Sequence, residues 1–289
     1  MIRSVFSFFK GMLLYKYSKL IYTMIIDAHV HISLYNDNAD NLENAFTLLL
    51  SDMKKNEVDF VVVIPDNNEN SPYITDLDKS IELINDHQNI FLLGSPQIIQ
   101  RGASEIEKYE KLATKKIVKG VKFFPGHDPY LPTDDRCMPY YEMCVRQNIP
   151  VLFHTGENSG DSECSKWNDP KHIVSIAKKF PSLKVIIAHY FWPKMKYCYE
   201  ITKEISNIYF DVSAMADDEV LEKSGGINEV RKILTKTVFN RPDNILYGTD
   251  WPMCKMNDHI ALIKSLSLKK EQEEKIFYKN AINIYNLPV

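Results

Sequence analysis

Beyond residue 24 the chain alternates between two hydrophobic patterns. Short runs of aliphatic and β-branched residues recur at 24–28, 58–64, 90–95, 117–124, 149–154, 183–189, 207–213 and 244–249. Most, such as VDFVVVI and LKVIIAH, are apolar at nearly every position instead of alternating with polar residues. Runs of this kind predict parallel strands covered on both faces. Between them, at 41–56, 75–87, 103–115, 136–148 and 170–180, the apolar spacing predicts helices. The last opens on Asp169-Pro170, a capping side chain followed by proline at the first helical position. Eight strands alternating with helices predict an α/β fold, a single-domain (β/α)8 TIM barrel over 24–289. A doubly wound open sheet is the competing arrangement, but its glycine-rich turn after the first strand is missing from the sequence.

In such a barrel the chemistry sits at the C-terminal ends of the strands. Here those ends carry His29 and His31, then Asp66, Ser95, Lys122, His154, His189, Asp211 and Asp250. Residues two apart on a strand leave the same face, so His29 and His31 can reach one cation at about 2.0–2.1 Å. A lone His-x-His pattern is weak evidence. Histidines at two further strand ends and an aspartate at a third turn it into a candidate metal centre. Asp27 is read as structural, bonded to neighbouring backbone. His87, His172 and His259 end no strand and are read as non-ligands, while His127 is placed in a surface loop above the mouth.

Composition and charge narrow the picture without redirecting it. The 289 residues carry a net charge of −3, which gives no reason to expect nucleic acid as a partner. Five widely spaced cysteines form no Cys-x-x-Cys pair, so a reducing, cytoplasmic setting is expected. Residues 1–23 hold Arg3, Lys10, Lys16 and Lys19 and no acid. Lysines interrupt their apolar runs too often for a membrane span, so a poorly ordered N-terminal extension is expected, with the working domain beginning at Met24 and no stable membrane insertion.

The series DAHVH, GVKFFP, VLFHTG, VIIAHY and YGTDWP resembles the amidohydrolase superfamily, and most nearly its amidohydrolase-related branch, which also contains metal-dependent decarboxylases. The resemblance runs from about Met24 to the C-terminus. It implies that His29, His31 and His154 are metal ligands, that Asp250 sits against the metal and its water, and that His189 is a ligand or a catalytic hydrogen-bond donor. One divalent ion is expected, zinc first, with manganese or iron as alternatives. A second ion bridged by a carboxylated Lys122 is the disfavoured arrangement, and Lys122 is expected to pair with a carboxylate or the substrate.

Trp167, Trp192 and Trp251 follow strand ends, and with Phe124, Tyr130, Tyr190 and Phe191 they suggest an aromatic rim for a small, partly apolar substrate. The alternative is that these rings pack the loops together. Arg136 could clamp a substrate carboxylate, although Asp134 and Asp135 compete for it. Segments 66–76 and 155–169 look like lids. Three functions remain open: hydrolysis of a C–N, C–O or lactone bond through metal-activated water; non-oxidative decarboxylation of an unsaturated or aromatic acid; and a barrel that binds metal or ligand without turnover. A homodimer is the default assembly.

Overall fold

The computed structural model describes residues 23–35 and 38–289; apart from Thr23, the expected N-terminal extension lies outside the described residues. Eight parallel strands follow one another in sequence order around a nearly closed barrel. They are β1 (Ile26–Val30), β2 (Phe60–Val63), β3 (Ile90–Gly94), β4 (Val118–Phe123), β5 (Val151–Phe153), β6 (Val185–Ile187), β7 (Ile208–Asp211) and β8 (Ile245–Leu246). Strands β2 to β8 are shorter than their apolar runs, whereas β1 keeps five residues and is shifted two positions toward the C-terminus of its run, reaching His29 and Val30. Helices alternate with the strands, as the spacing predicts, and the pattern continues through Met195–Thr202, Ile227–Asn240 and Met256–Ser265. No helix among the described residues is long and apolar enough to cross a membrane.

Two apolar layers result from the period-two alternation of each strand. Ile26, Ala28, Val62, Leu93, Leu152, Ile186 and Leu246 pack together inside the barrel, and Ala281, Ile284 and Tyr285 from the last helix join them. Val30, Val61, Leu92, Val121, Val151, Val185 and Phe210 face the surrounding helices. Strict alternation along β1 would put Asp27 on the face of His29. The β1–β2 register instead shifts between Asp27 and Val30, and this irregularity separates the two roles.

The barrel closes between β8 and β1 by few bonds. Ala28 N–H donates to Tyr247 O at 2.9 Å, Asp250 N–H to His29 O at 2.9 Å, and His31 N–H to Trp251 O at 2.7 Å. Asp27 reinforces the seam: its carboxylate accepts from the Thr249 hydroxyl at 2.6 Å and the Thr249 N–H at 3.0 Å. Burial pushes the Asp27 carboxyl up to about 7 despite these bonds.

Candidate active site

The strand ends bring most of the sequence-predicted residues together. His29 Nε2 and His31 Nε2 each lie 3.3 Å from Asp250 Oδ1. The other nitrogen of each ring is already engaged: His31 Nδ1 with the Ile64 carbonyl at 2.9 Å, His29 Nδ1 with Asp211 Oδ2 at 2.9 Å. A neutral ring that donates through Nδ1 keeps its Nε2 lone pair, so both lone pairs are available to one cation beside Asp250. His29, His31 and Asp250 have donor atoms close enough to hold a metal ion together.

His154 stands slightly apart from that group. It lines the same cavity, and its Nε2 is buried with no hydrogen-bond partner. Burial is the first cause holding its basicity well below the usual histidine range, with the neighbouring His127 and His189 adding to it. A buried nitrogen without a partner is costly unless something else satisfies it. With two further imidazoles and a carboxylate nearby, the donor set fits a divalent ion.

Asp250 follows β8 with φ of 70°, a left-handed conformation that aspartate tolerates better than most residues. Burial pushes its carboxyl up, but the surrounding His189, His31 and His29 rings hold it well below the usual range. His189 lies in a stranger turn. His189, Tyr190 and Phe191 have consecutive φ values of 56°, 51° and 57°. The Tyr190 ring stacks on Phe210 at 4.3 Å, while the His189 ring lines the cavity. Backbone strain of this kind persists only where packing over-determines it. Here Thr155 Oγ1 accepts from Phe191 N–H at 3.1 Å and donates to the Ala188 carbonyl at 2.5 Å.

Asp211 and Ser213 tie the two rings together. Asp211 Oδ1 accepts from the His189 N–H at 2.9 Å and from the Ser213 hydroxyl. Ser213 Oγ in turn meets His189 Nδ1 at 2.8 Å and His29 Nδ1 at 3.1 Å. Burial raises the Asp211 carboxyl, but its bonds to His29 and Ser213 outweigh it and the group stays below its ordinary range. The sequence pattern marks Asp211 as a strand end and says nothing of Ser213. His29, His189 and Asp211 form a second group with ligand-type atoms close together, but His29 Nδ1 is already bonded to Asp211 and His189 Nδ1 to Ser213.

Lys122 is buried with Nζ 3.4 Å from His29 Nε2 and 5.1 Å from the Phe124 ring centre. Burial pulls its ammonium down to about 8, with Asp211 and Asp250 opposing the shift. No carboxylate pairs directly with it among the described residues, so of the two expected partners, a carboxylate or the substrate, the first is not found.

The cavity over these groups has a volume of about 320 Å³. Phe124 lines it; Trp192 and Trp251 do not, and this corrects the expected aromatic rim. The Trp251 indole points outward and donates to Asp52 at 2.9 Å, on the helix Leu42–Lys55. Trp192 packs against the Gly156 backbone and under Lys223. Tyr130 is buried, its hydroxyl accepting from Phe124 N–H at 2.8 Å. Tyr35, which the sequence pattern did not single out, supplies the other aromatic ring in the wall. Arg136 is likewise displaced from the expected role. Its guanidinium is bound at both ends by Asp134, at 2.9 and 2.8 Å, outside the cavity lining. His127 overhangs the mouth and lines the cavity, its ring centre 4.2 Å from that of His154. His259 is buried elsewhere, accepting from Ala216 N–H at 3.3 Å.

A barrel with histidine, aspartate and lysine side chains gathered at its C-terminal mouth defines a class of metal-dependent TIM-barrel enzymes. The amidohydrolase family model matches residues 26–287, and the chain belongs to that family. No curated protein matches it in sequence. Among solved structures it is similar to an uncharacterised TIM-barrel protein from Bordetella bronchiseptica, at 20% identity over 91% of this chain and 99% of that one, with a TM-score of 0.72. A protein from Acinetobacter baumannii assigned as a 2-pyrone-4,6-dicarboxylic acid hydrolase is 14% identical over 91% of this chain and 99% of that one, with a TM-score of 0.66. The 5-carboxyvanillate decarboxylase from Novosphingobium aromaticivorans, complexed with manganese and 4-hydroxy-3-methoxy-5-nitrobenzoic acid, is 13% identical over 92% of this chain and 96% of that one, with a TM-score of 0.61. At these identities the likeness establishes the fold, and the similar structures include both a decarboxylase and a protein assigned as a hydrolase.

Proposed function

We propose that the protein is a metal-dependent hydrolase that cleaves a C–N, C–O or lactone bond in a small molecule. The observation that carries this reading is the convergence of the His29 and His31 Nε2 atoms on Asp250 Oδ1, at 3.3 Å each. His29, His31 and Asp250 would hold the ion, with the unpartnered His154 Nε2 as a further donor. Two or three imidazoles with one carboxylate suit zinc, with manganese or iron as alternatives. When bound, such an ion supplies Lewis acidity and lowers the pKa of water from 15.7 to about 7. A single ion is favoured, because in the second group His29 Nδ1 is bonded to Asp211 and His189 Nδ1 to the Ser213 hydroxyl.

The remaining chemistry belongs to the chain. Asp250, ionised at neutral pH, takes a proton from the attacking water as its oxygen bonds to the acyl carbon. The same carboxylate returns that proton to the departing nitrogen or oxygen as the acyl bond breaks. His189 and the Lys122 ammonium, which both line the cavity, would polarise the acyl oxygen. His189 is steadied for this task by Ser213 and Asp211. A carboxylate-binding arginine in the mouth would favour decarboxylation of an unsaturated or aromatic acid, and no arginine lines the cavity among the described residues. The five buried, unpaired cysteines support a reducing, cytoplasmic setting.

Metal analysis of the purified protein, followed by assays on amide, lactone and aromatic-acid panels, tests the proposal. Metal-dependent acid release from amides or lactones is the expected result. Release of CO₂ from an aromatic acid would replace the hydrolase with a decarboxylase.

A further inference from the structure

The cavity carries carboxylates on its loops as well as at the strand ends. At its floor lie the histidines, Asp250 and the Lys122 ammonium, whose opposing carboxylates are Asp211 and Asp250. Asp66 and Asp128, from the loops after β2 and β4, line the same cavity together with Asn67, Asn68, Asn158 and Tyr35. Asn67 Nδ2 donates to Asp128 Oδ2 at 2.5 Å, and Asn68 N–H donates to Asp66 Oδ1 at 3.2 Å. These amide bonds fix the carboxylates without neutralising them. Neither aspartate has a lysine or arginine partner among the described residues, and the two are close enough to repel each other. The buried, unpartnered His154 Nε2 lies in the same cavity, so these carboxylates line a chamber equipped for a ligand.

Two half-buried like charges held without a counter-ion are unfavourable unless a ligand supplies one. A carboxylate-bearing substrate would meet repulsion there. We infer that the substrate is a small amide or lactone carrying a cationic amino group, with its acyl carbon at the histidine floor and its ammonium between Asp66 and Asp128. This deepens the hydrolase reading and rests on it for the orientation of the acyl group. The short span of a cavity of about 320 Å³ limits the substrate to a few carbons between the two groups.

Three isosteric probes separate the possibilities: N-(2-aminoethyl)acetamide, N-propylacetamide and N-acetyl-β-alanine, which present a cation, a methyl group and an anion at the same position. Their dissociation constants are measured on the zinc-loaded full chain by ligand-observed NMR, with acetate release followed in parallel. The cation is expected to bind about tenfold more tightly than the anion, because exchanging attraction for repulsion counts an ion pair twice. The preference should weaken as ionic strength rises. It should fall to within about twofold in Asp66→Asn/Asp128→Asn, since both carboxylates are then replaced by neutral amides. Asp66→Asn alone, which leaves the Asn67–Asp128 bond in place, should remove part of it. Absence of a charge preference, whether all three probes bind or none does, would overturn the inference, as would a preference that survives the double variant. A cation preference without acetate release would uphold the acidic subsite and count against the hydrolase reading alone.

Discussion

Each histidine at the floor of the cavity has one nitrogen committed to the protein and the other left for chemistry, except His154, which has a buried nitrogen committed to nothing. Removing a donor or the proton carrier should therefore abolish turnover without unfolding the barrel. His31→Ala and Asp250→Asn are expected to lower metal-dependent kcat by at least about 100-fold. Far-UV circular dichroism of both variants should match the parent. Asp211 acts at one remove, by holding the His29 ring in the tautomer that presents Nε2. Asp211→Asn should weaken metal affinity by about 10- to 100-fold, read by competition with a chelating dye. At this scale the sequence was informative where strand ends fix direction. His29, His31, His154, His189 and Asp250 could be picked out because a side chain at the end of a parallel strand has few places to go. Loop side chains have no such constraint. That is why Trp251 turned out to bind Asp52 and Arg136 to bind Asp134, while Tyr35 and Asp128 entered the cavity wall unannounced.

The elements were legible as alternation, and their boundaries were not. Apolar runs marked all eight strands, but β8 keeps only Ile245 and Leu246 in the ladder out of the six residues the run suggested. Beyond them Thr249 turns to Asp27 and Asp250 adopts its left-handed conformation, and neither event has a hydrophobic signature. The three consecutive left-handed residues from His189 to Phe191 were equally invisible, since none is a glycine. The loop after β5 is locked against that turn. Gly156 has φ of 92°, and a Cβ there would lie 2.6 Å from the Trp192 carbonyl oxygen. Gly156→Ala is therefore expected to cost about 2 kcal/mol or more, through the left-handed backbone and the clash together. Chemical denaturation should reveal the loss as a lower midpoint at unchanged slope. Trp251→Phe removes one hydrogen bond outside the cavity and should cost about 1 kcal/mol while leaving KM unchanged.

At the scale of the whole molecule, ion binding is coupled to stability because the unfolded chain cannot assemble ligands from both ends of the sequence. Chelation should leave the helical signal intact and lower the melting temperature. Restoring the ion to about 100 times its dissociation constant should return about 2.7 kcal/mol. The two strands that supply His29, His31 and Asp250 are also the first and last of the barrel, joined by only a few backbone bonds and the Asp27–Thr249 contact. A cation gripped by both would act as a clasp across the barrel's weakest join. Amide protons along that join should then exchange with deuterium more slowly in the loaded protein than in the stripped one, while those between β2 and β3, which supply none of the proposed ligands, should not change.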